Sequence, residues 1–270
     1  MSSPHRQPAI FLPHGGGPWP WMDMSAFGGP GAMASLRAWL EALPSTLSTP
    51  PRAVLVITAH WEEAAPTVSS AARPPMLYDY YGFPAETYQV SWPAPGDPAL
   101  AARVRELLAA AGFQPGEDPK RGFDHGTFVP MSVAWPAADV PTVQLSLVRG
   151  LDPDTHLRLG RALAPLRDEG VLIVGSGMSY HNMRGFRTPQ GAADSVVFDG
   201  WLRGVVAEAP EARDAHLRAW SAAPAGRASH PREEHLLPLM VVAGAAGEDL
   251  GAVTYGDRVL GTAVLAARFG

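Results

Sequence analysis

The sequence predicts an α/β fold: a central mixed sheet with helices on both faces and a functional rim at the C-terminal ends of its strands. Three observations lead there. Short apolar runs at 9–12, 53–58 and 171–174 have the length and continuity of strands buried on both sides. Amphipathic segments of helical period lie between them, the alternation expected of helices packed on a largely parallel sheet. Each run also delivers a histidine just beyond its end: His14 in PHGGG, His60 in AHW and His181 in GSGMSYHN. Ligands of open α/β sheets bind in the crevice outside the carboxyl ends of the strands, so three imidazoles arriving there suggest one shared rim.

Taken in order, the first strand runs into HGGGPWPWMD, a loop whose glycines allow backbone geometries closed to other residues. Residues 35–43 space Leu36, Trp39, Leu40 and Leu43 on one helical face. After strand 53–58, the prolines from Pro66 to Pro98 forbid long helices, leaving an excursion that holds YDYYGFP and a short alternating strand at 88–92. A loop of that length in a compact protein is usually functional. Residues 98–111 form an amphipathic helix capped by Asp97, and 142–147 alternate as a strand. Residues 152–168 are helical, with Asp152 as the cap and Pro153 in the first turn. Strand 171–174 should end in a tight bend at Gly175-Ser176-Gly177. Helices are expected at 198–207, 212–221 and 231–244, the last kinked at Pro238, and strands at 252–255 and 262–267. With no internal repeat and no linker, residues 1–270 are expected to form a single domain.

Composition narrows the function. The chain has 270 residues, 46% of them hydrophobic, a net charge of −5 and no basic block, which speaks against a nucleic-acid partner. It has no cysteine, so disulfides, thiolate metal sites and a cysteine nucleophile are excluded and any metal must rest on histidines and carboxylates. No run approaches the roughly 18 apolar residues of a membrane span, so a soluble, cytoplasmic protein is expected.

Of nine histidines, His5, His156 and His216 sit in tail or polar helical contexts and are expected at the surface. His125, beside Asp124, suits either acid/base work or the surroundings of a metal ligand. In HPREEH, helical geometry would separate His230 and His235 by about 140°, so at most one joins a single site. Glu233 and Glu234 are candidates for a ligand or base, against the plainer reading of an acidic helix start. Tyr80, Tyr81 and Trp19 are candidate aromatic walls for a planar substrate. HGGGPWP lacks the lysine of a phosphate-binding P-loop, and GSG lacks the GxSxG spacing of a serine-hydrolase elbow.

Seven stretches then carry a likeness. FLPHGGGP, ITAHWE, YDYYGFPAETYQVSWPAPGDP, GFDHGTFVPM, PTVQLSL, VLIVGSGMSYHNMR and HLLPLMVVAGA, in that order, resemble the class III (LigB-type) extradiol ring-cleavage dioxygenases, in the branch containing 4,5-DOPA dioxygenases. The resemblance implies one LigB-like catalytic domain that cleaves the ring of a DOPA-like catechol with O2. It implies His14, His60 and His235 as ligands of one divalent metal, Fe(II) for activity and Zn(II) in some isolated forms. It implies His181 as the acid/base and His125 as a substrate-orienting or proton-donating partner. Partners would be a small aromatic substrate and O2, without nucleic acid or membrane, and a homo-oligomer is compatible with the sequence. Two features depart from the pattern: PHGGGP stands where many relatives have HGSP, and His235, with Glu234 beside it, stands where the wider superfamily has a glutamate. Three neutral imidazoles suit zinc as well as iron, so a zinc-dependent hydrolase on the same site is the alternative.

Overall fold

The computed structural model describes residues 6–29 and 31–270, so His5 lies outside the described residues. Eight strands form one mixed sheet: β1 (Ala9–Pro13), β2 (Ala53–Glu63), β3 (Thr67–Ser69), β4 (Gly116–Asp118), β5 (Thr142–Val148), β6 (Val171–Gly177), β7 (Gly251–Val259) and β8 (Thr262–Phe269). Their order is β4-β3-β5-β2-β6-β1-β8-β7. The central four, β5-β2-β6-β1, are parallel, so their C-terminal ends share one rim. The β7–β8 hairpin closes one side antiparallel to β1.

Alternation along the strands feeds two cores. Phe11, Leu55, Ile57 and Ile173 face one side, where α2 (Pro98–Ala110), α4 (Pro153–Leu163), α5 (Pro189–Val206) and α7 (Leu237–Ala246) pack. Ile10, Leu12, Val54, Val56, Leu172 and Val174 face the other, covered by α1 (Ala34–Ala42), α3 (His125–Ala134) and the aromatic excursion. The remaining longer helix, α6 (Pro210–Arg218), packs against α4, α5 and α7. Asp97, Asp152 and Thr188 cap α2, α4 and α5, each side chain accepting a first-turn amide. Among the described residues no helix is long and apolar enough to cross a membrane.

Several expectations are corrected. The stretch 88–92 is not a strand: a 3-10 turn at Ala85–Tyr88 gives way to irregular backbone. The helix expected over 231–244 begins at Leu237, so Pro238 sits harmlessly in its first turn and causes no kink. Gly175 and Gly177 do not bend β6, which runs straight through both. They are glycines because α7 crosses so closely that a Cβ on Gly175 would lie 2.5 Å from the Pro238 carbonyl, and one on Gly177 would collide with that of His235. The short strands β3 and β4 were not foreseen, three residues being too few to show a period.

Candidate metal centre

Each histidine at the rim is delivered by a different device. His14 follows β1 directly; its amide donates to the Gly177 carbonyl and its carbonyl accepts the Trp19 indole N–H at 2.9 Å. The loop then turns on Gly17, at φ +53°, where a Cβ would press into the Phe83 ring at 2.7 Å. His60 does not lie past the end of its strand: β2 continues to Glu63, but its pairing with β5 breaks between Ile57 and Glu62. That irregularity re-aims the histidine into the rim, the usual office of a bulge beside an active site. His125 is the first residue of α3, whose cap Asp124 is fully buried, accepting the Thr58 hydroxyl at 2.8 Å and pairing with Arg121 at 2.9 Å. The Ser176 hydroxyl donates to the Gly126 carbonyl, tying α3 to β6. His235 sits in the turn before α7, and its carbonyl accepts the Met178 amide just past β6. His181 follows β6, its amide held by the Ser229 carbonyl.

These imidazoles converge. The ring centroids of His14, His60 and His235 are 4.9, 4.9 and 5.2 Å apart, and one nitrogen from each lies within 4.8 Å of the others. The Nε2 atoms of His14 and His60 are 3.2 Å apart. Two nitrogens each about 2.0–2.1 Å from a common ion at a tetrahedral angle would be roughly 3.3 Å apart. His14 Nδ1 and His235 Nε2 are buried and have no hydrogen-bond partner. Buried polar atoms are nearly always satisfied, so the orphaned His235 Nε2, on the ring that closes the triangle with the facing Nε2 atoms of His14 and His60, fits a cation. Burial, reinforced by neighbouring imidazoles, holds all three rings well below the usual histidine pKa, so they present lone pairs at neutral pH.

His125 and His181 flank this triangle. His125 lies 3.9 Å from His60, ring to ring, and His181 stacks on His235 at 3.3 Å. Two carboxylates accompany them. Asp79 accepts the His125 Nδ1 proton at 2.8 Å, and Glu234 accepts from His235 Nδ1 at 2.9 Å. Burial alone would raise both acids, but hydrogen bonds and charge from the adjoining histidines hold each below its usual value. All five histidines, with Asp79, line a cavity of about 500 Å³ whose other walls include Tyr80, Tyr81, Phe83 and Phe186.

Tyr80 is buried and gives its hydroxyl to the Thr87 carbonyl, with its pKa pushed up to about 12, chiefly by burial. Tyr81 is 91% exposed at the mouth. Trp19, a candidate wall in the sequence, is corrected: it lies beneath the glycine loop, outside the cavity lining, and braces His14. His230 is buried but apart, donating to the Ser179 carbonyl, and burial pushes it down to about 3. His156, expected at the surface, is fully buried, bridging the Asp152 carbonyl and the Val148 amide. Asp79 was missed in the sequence; its signal was its place in YDYYGFP, masked by the tyrosines beside it.

Comparisons with known proteins agree on the family. Residues 8–267 match the catalytic LigB subunit of aromatic ring-opening dioxygenases. The chain is 42% identical to the dioxygenase tasH of Hapsidospora irregularis, over 94% of this chain and 82% of that protein. It is 43% identical to the 4,5-DOPA dioxygenase extradiol of Beta vulgaris over 79% of each, and 35% identical to that of Escherichia coli K12 over 91% and 87%. A crystal structure of an uncharacterized E. coli K12 protein superposes with a TM-score of 0.77 at 30% identity, covering 98% of this chain and all of the other. These relatives do not favour the hydrolase alternative. The chain belongs to the LigB family and is a metal-dependent extradiol ring-cleavage dioxygenase acting on an aromatic substrate with O2.

Proposed function

We propose that residues 1–270 act as one catalytic domain that opens the ring of a DOPA-like catechol, with Fe(II) held by His14, His60 and His235. The observation that carries this reading is the triangle of neutral imidazoles, two buried and His60 half-buried, in which the Nε2 atoms of His14 and His60 face each other and His235 Nε2 has no partner, set in the same cavity as two further histidines. Bound by these three histidines, Fe(II) would supply Lewis-acid and redox chemistry toward a catechol and O2, whereas Zn(II) has no accessible redox chemistry.

The remaining roles fall to side chains. His181, partly exposed beside Glu234, takes the proton from a catechol hydroxyl and returns one to the oxygen inserted next to the ring. His125 gives its Nδ1 proton to Asp79 in a hydrogen bond, which leaves Nε2 to orient a substrate oxygen. Tyr80, Tyr81 and Phe83 supply faces and edges for a planar ring and exclude water from it. The relatives named 4,5-DOPA dioxygenase extradiol support a catechol with an amino-acid side chain.

Anaerobic reconstitution with Fe(II), followed by oxygen-electrode assays across a panel of catechols, tests the proposal. Oxygen uptake matched by a yellow ring-opened product, largest with DOPA, is expected. Absence of uptake with every catechol in the Fe(II) form would contradict it.

A further inference from the structure

Three groups at the rim have the spacing of a metal site: His14–His60–His235, His60–Asp79–His125 and His181–Glu234–His235. The second and third share a design. Each consists of one imidazole of the central triangle, one imidazole outside it and a carboxylate between them. Glu234 Oε1 lies 2.9 Å from His235 Nδ1 and 3.3 Å from His181 Nδ1, across two rings stacked 17° from parallel. Asp79 Oδ1 is 2.8 Å from His125 Nδ1 and 2.9 Å from its amide, while Oδ2 is 3.7 Å from His60 Nδ1.

We propose that Asp79 and Glu234 are positioning residues for the rim imidazoles: Glu234 yokes metal-binding His235 to the acid/base His181, and Asp79 holds the substrate-orienting His125 beside metal-binding His60. This rests on the functional reading above. Three chemical consequences follow from the placement. A carboxylate on Nδ1 fixes the proton there and turns Nε2 toward the cavity, setting tautomer and ring angle together. Two carboxylates outside the ligand triangle offset the charge of a divalent ion that three neutral imidazoles leave uncompensated. Finally, one carboxylate oxygen shared by two rings makes the position of His181 depend on that of His235. The other carboxylate oxygen of Glu234, Oε2, lies 3.4 Å from Arg232 Nη1, the same nitrogen that Glu62 holds at 2.6 Å. The Glu234 yoke is the tighter of the two, because the 3.7 Å separation between Asp79 and His60 exceeds a hydrogen bond.

The test is a Co(II) titration of the metal-free protein, read by visible absorption and calorimetry without turnover, alongside ring-cleavage kinetics of the Fe(II) form. Wild type should bind one Co(II) per chain. Glu234→Gln should raise the Co(II) Kd about 10–100-fold, and raise it equally in a His181→Ala background. Its kcat loss should all but vanish in that background, because the ring it positions is gone. Glu234→Asp should recover part of both losses. Asp79→Asn should act mainly through His125, with the smaller change in Kd. An unchanged Kd with fully additive kcat losses would overturn the pairing. So would binding of more than one Co(II), with Glu234→Gln or Asp79→Asn removing one ion, since the carboxylates would then be ligands. Failure of the functional reading looks different: His14→Ala, His60→Ala and His235→Ala would bind Co(II) as well as wild type.

Discussion

The two ends of the parallel strands bury polar groups in opposite ways. At the N-terminal end, Arg167 is fully buried, yet its guanidinium donates to the carbonyls of Gln7, Ala245, Ala246 and Phe269 and to the Asp249 carboxylate. At the C-terminal end, His14 and His235 are also buried, but His235 Nε2 has no partner and His14 Nε2 faces only the nitrogen of another imidazole, His60. A buried charge whose donors are all engaged is a clamp between elements, here β1, α7 and β8. A buried lone pair facing nothing is a cost to the fold that only an external group removes. The first end is finished by the chain itself, and the second is built for something to be added.

Substitutions at the two ends should therefore fail differently. The largest effect belongs to the rim: His14→Ala or His235→Ala should lower ring cleavage below detection and abolish stoichiometric metal binding. Unfolding of the metal-free protein should change by less than about 2 kcal/mol, because the lost groups were not fully bonded. Urea titrations of the apo forms check the second half. His181→Ala should keep its metal and lose about 10²–10⁴-fold in kcat; metal analysis with steady-state kinetics distinguishes it from a ligand variant. At the opposite end, Arg167→Ala takes the buried donor from the carbonyls of Gln7, Ala245, Ala246 and Phe269 and leaves Asp249 with Arg6 alone, and should cost about 3–5 kcal/mol of stability. Metal bound per folded chain should be unaltered, so loss of affinity there would blur the contrast between the two ends.

The smallest effect is acid sensitivity. Burial raises the Asp249 carboxyl, but hydrogen bonds and charge from Arg167 and Arg6 outweigh it and hold it below the ordinary aspartate value. A depressed carboxylate stabilises the fold fully above its unfolded pKa, near 4, and loses that contribution as pH falls through the lower, folded value. Stability measured by denaturant from pH 6 to pH 2 should fall less steeply in Asp249→Asn than in wild type, from a lower starting point.

How much of this was legible in the sequence differs between the same two ends. The rim was written locally: β1, β2 and β6 show as apolar runs, and His14, His60 and His181 follow them within a few residues. His235 lies two residues before the helix that the periodicity predicts it to be part of, so its place in the site follows from the resemblance and not from periodicity. Asp79 and its contact with His125 span 46 residues of chain, and no local pattern encodes such a contact. Glu234 reads locally as a solvated helix start because its partner His181 is brought to it only by tertiary packing. The Arg167 clamp was invisible for the same reason: an arginine in PLRDEG looks like any surface cation until the chain ends close over it. Gly175 and Gly177 signalled something special, and the reason was the crossing of α7 over β6.

The most direct measurement is X-ray absorption at the iron edge of the anaerobic Fe(II) protein. Scattering from three imidazoles bound through nitrogen, falling to two or to no bound iron in His14→Ala, His60→Ala and His235→Ala but unchanged in His125→Ala, is the expected result. Fewer than three imidazoles in wild type, or a spectrum untouched by loss of His235, would contradict the proposed centre.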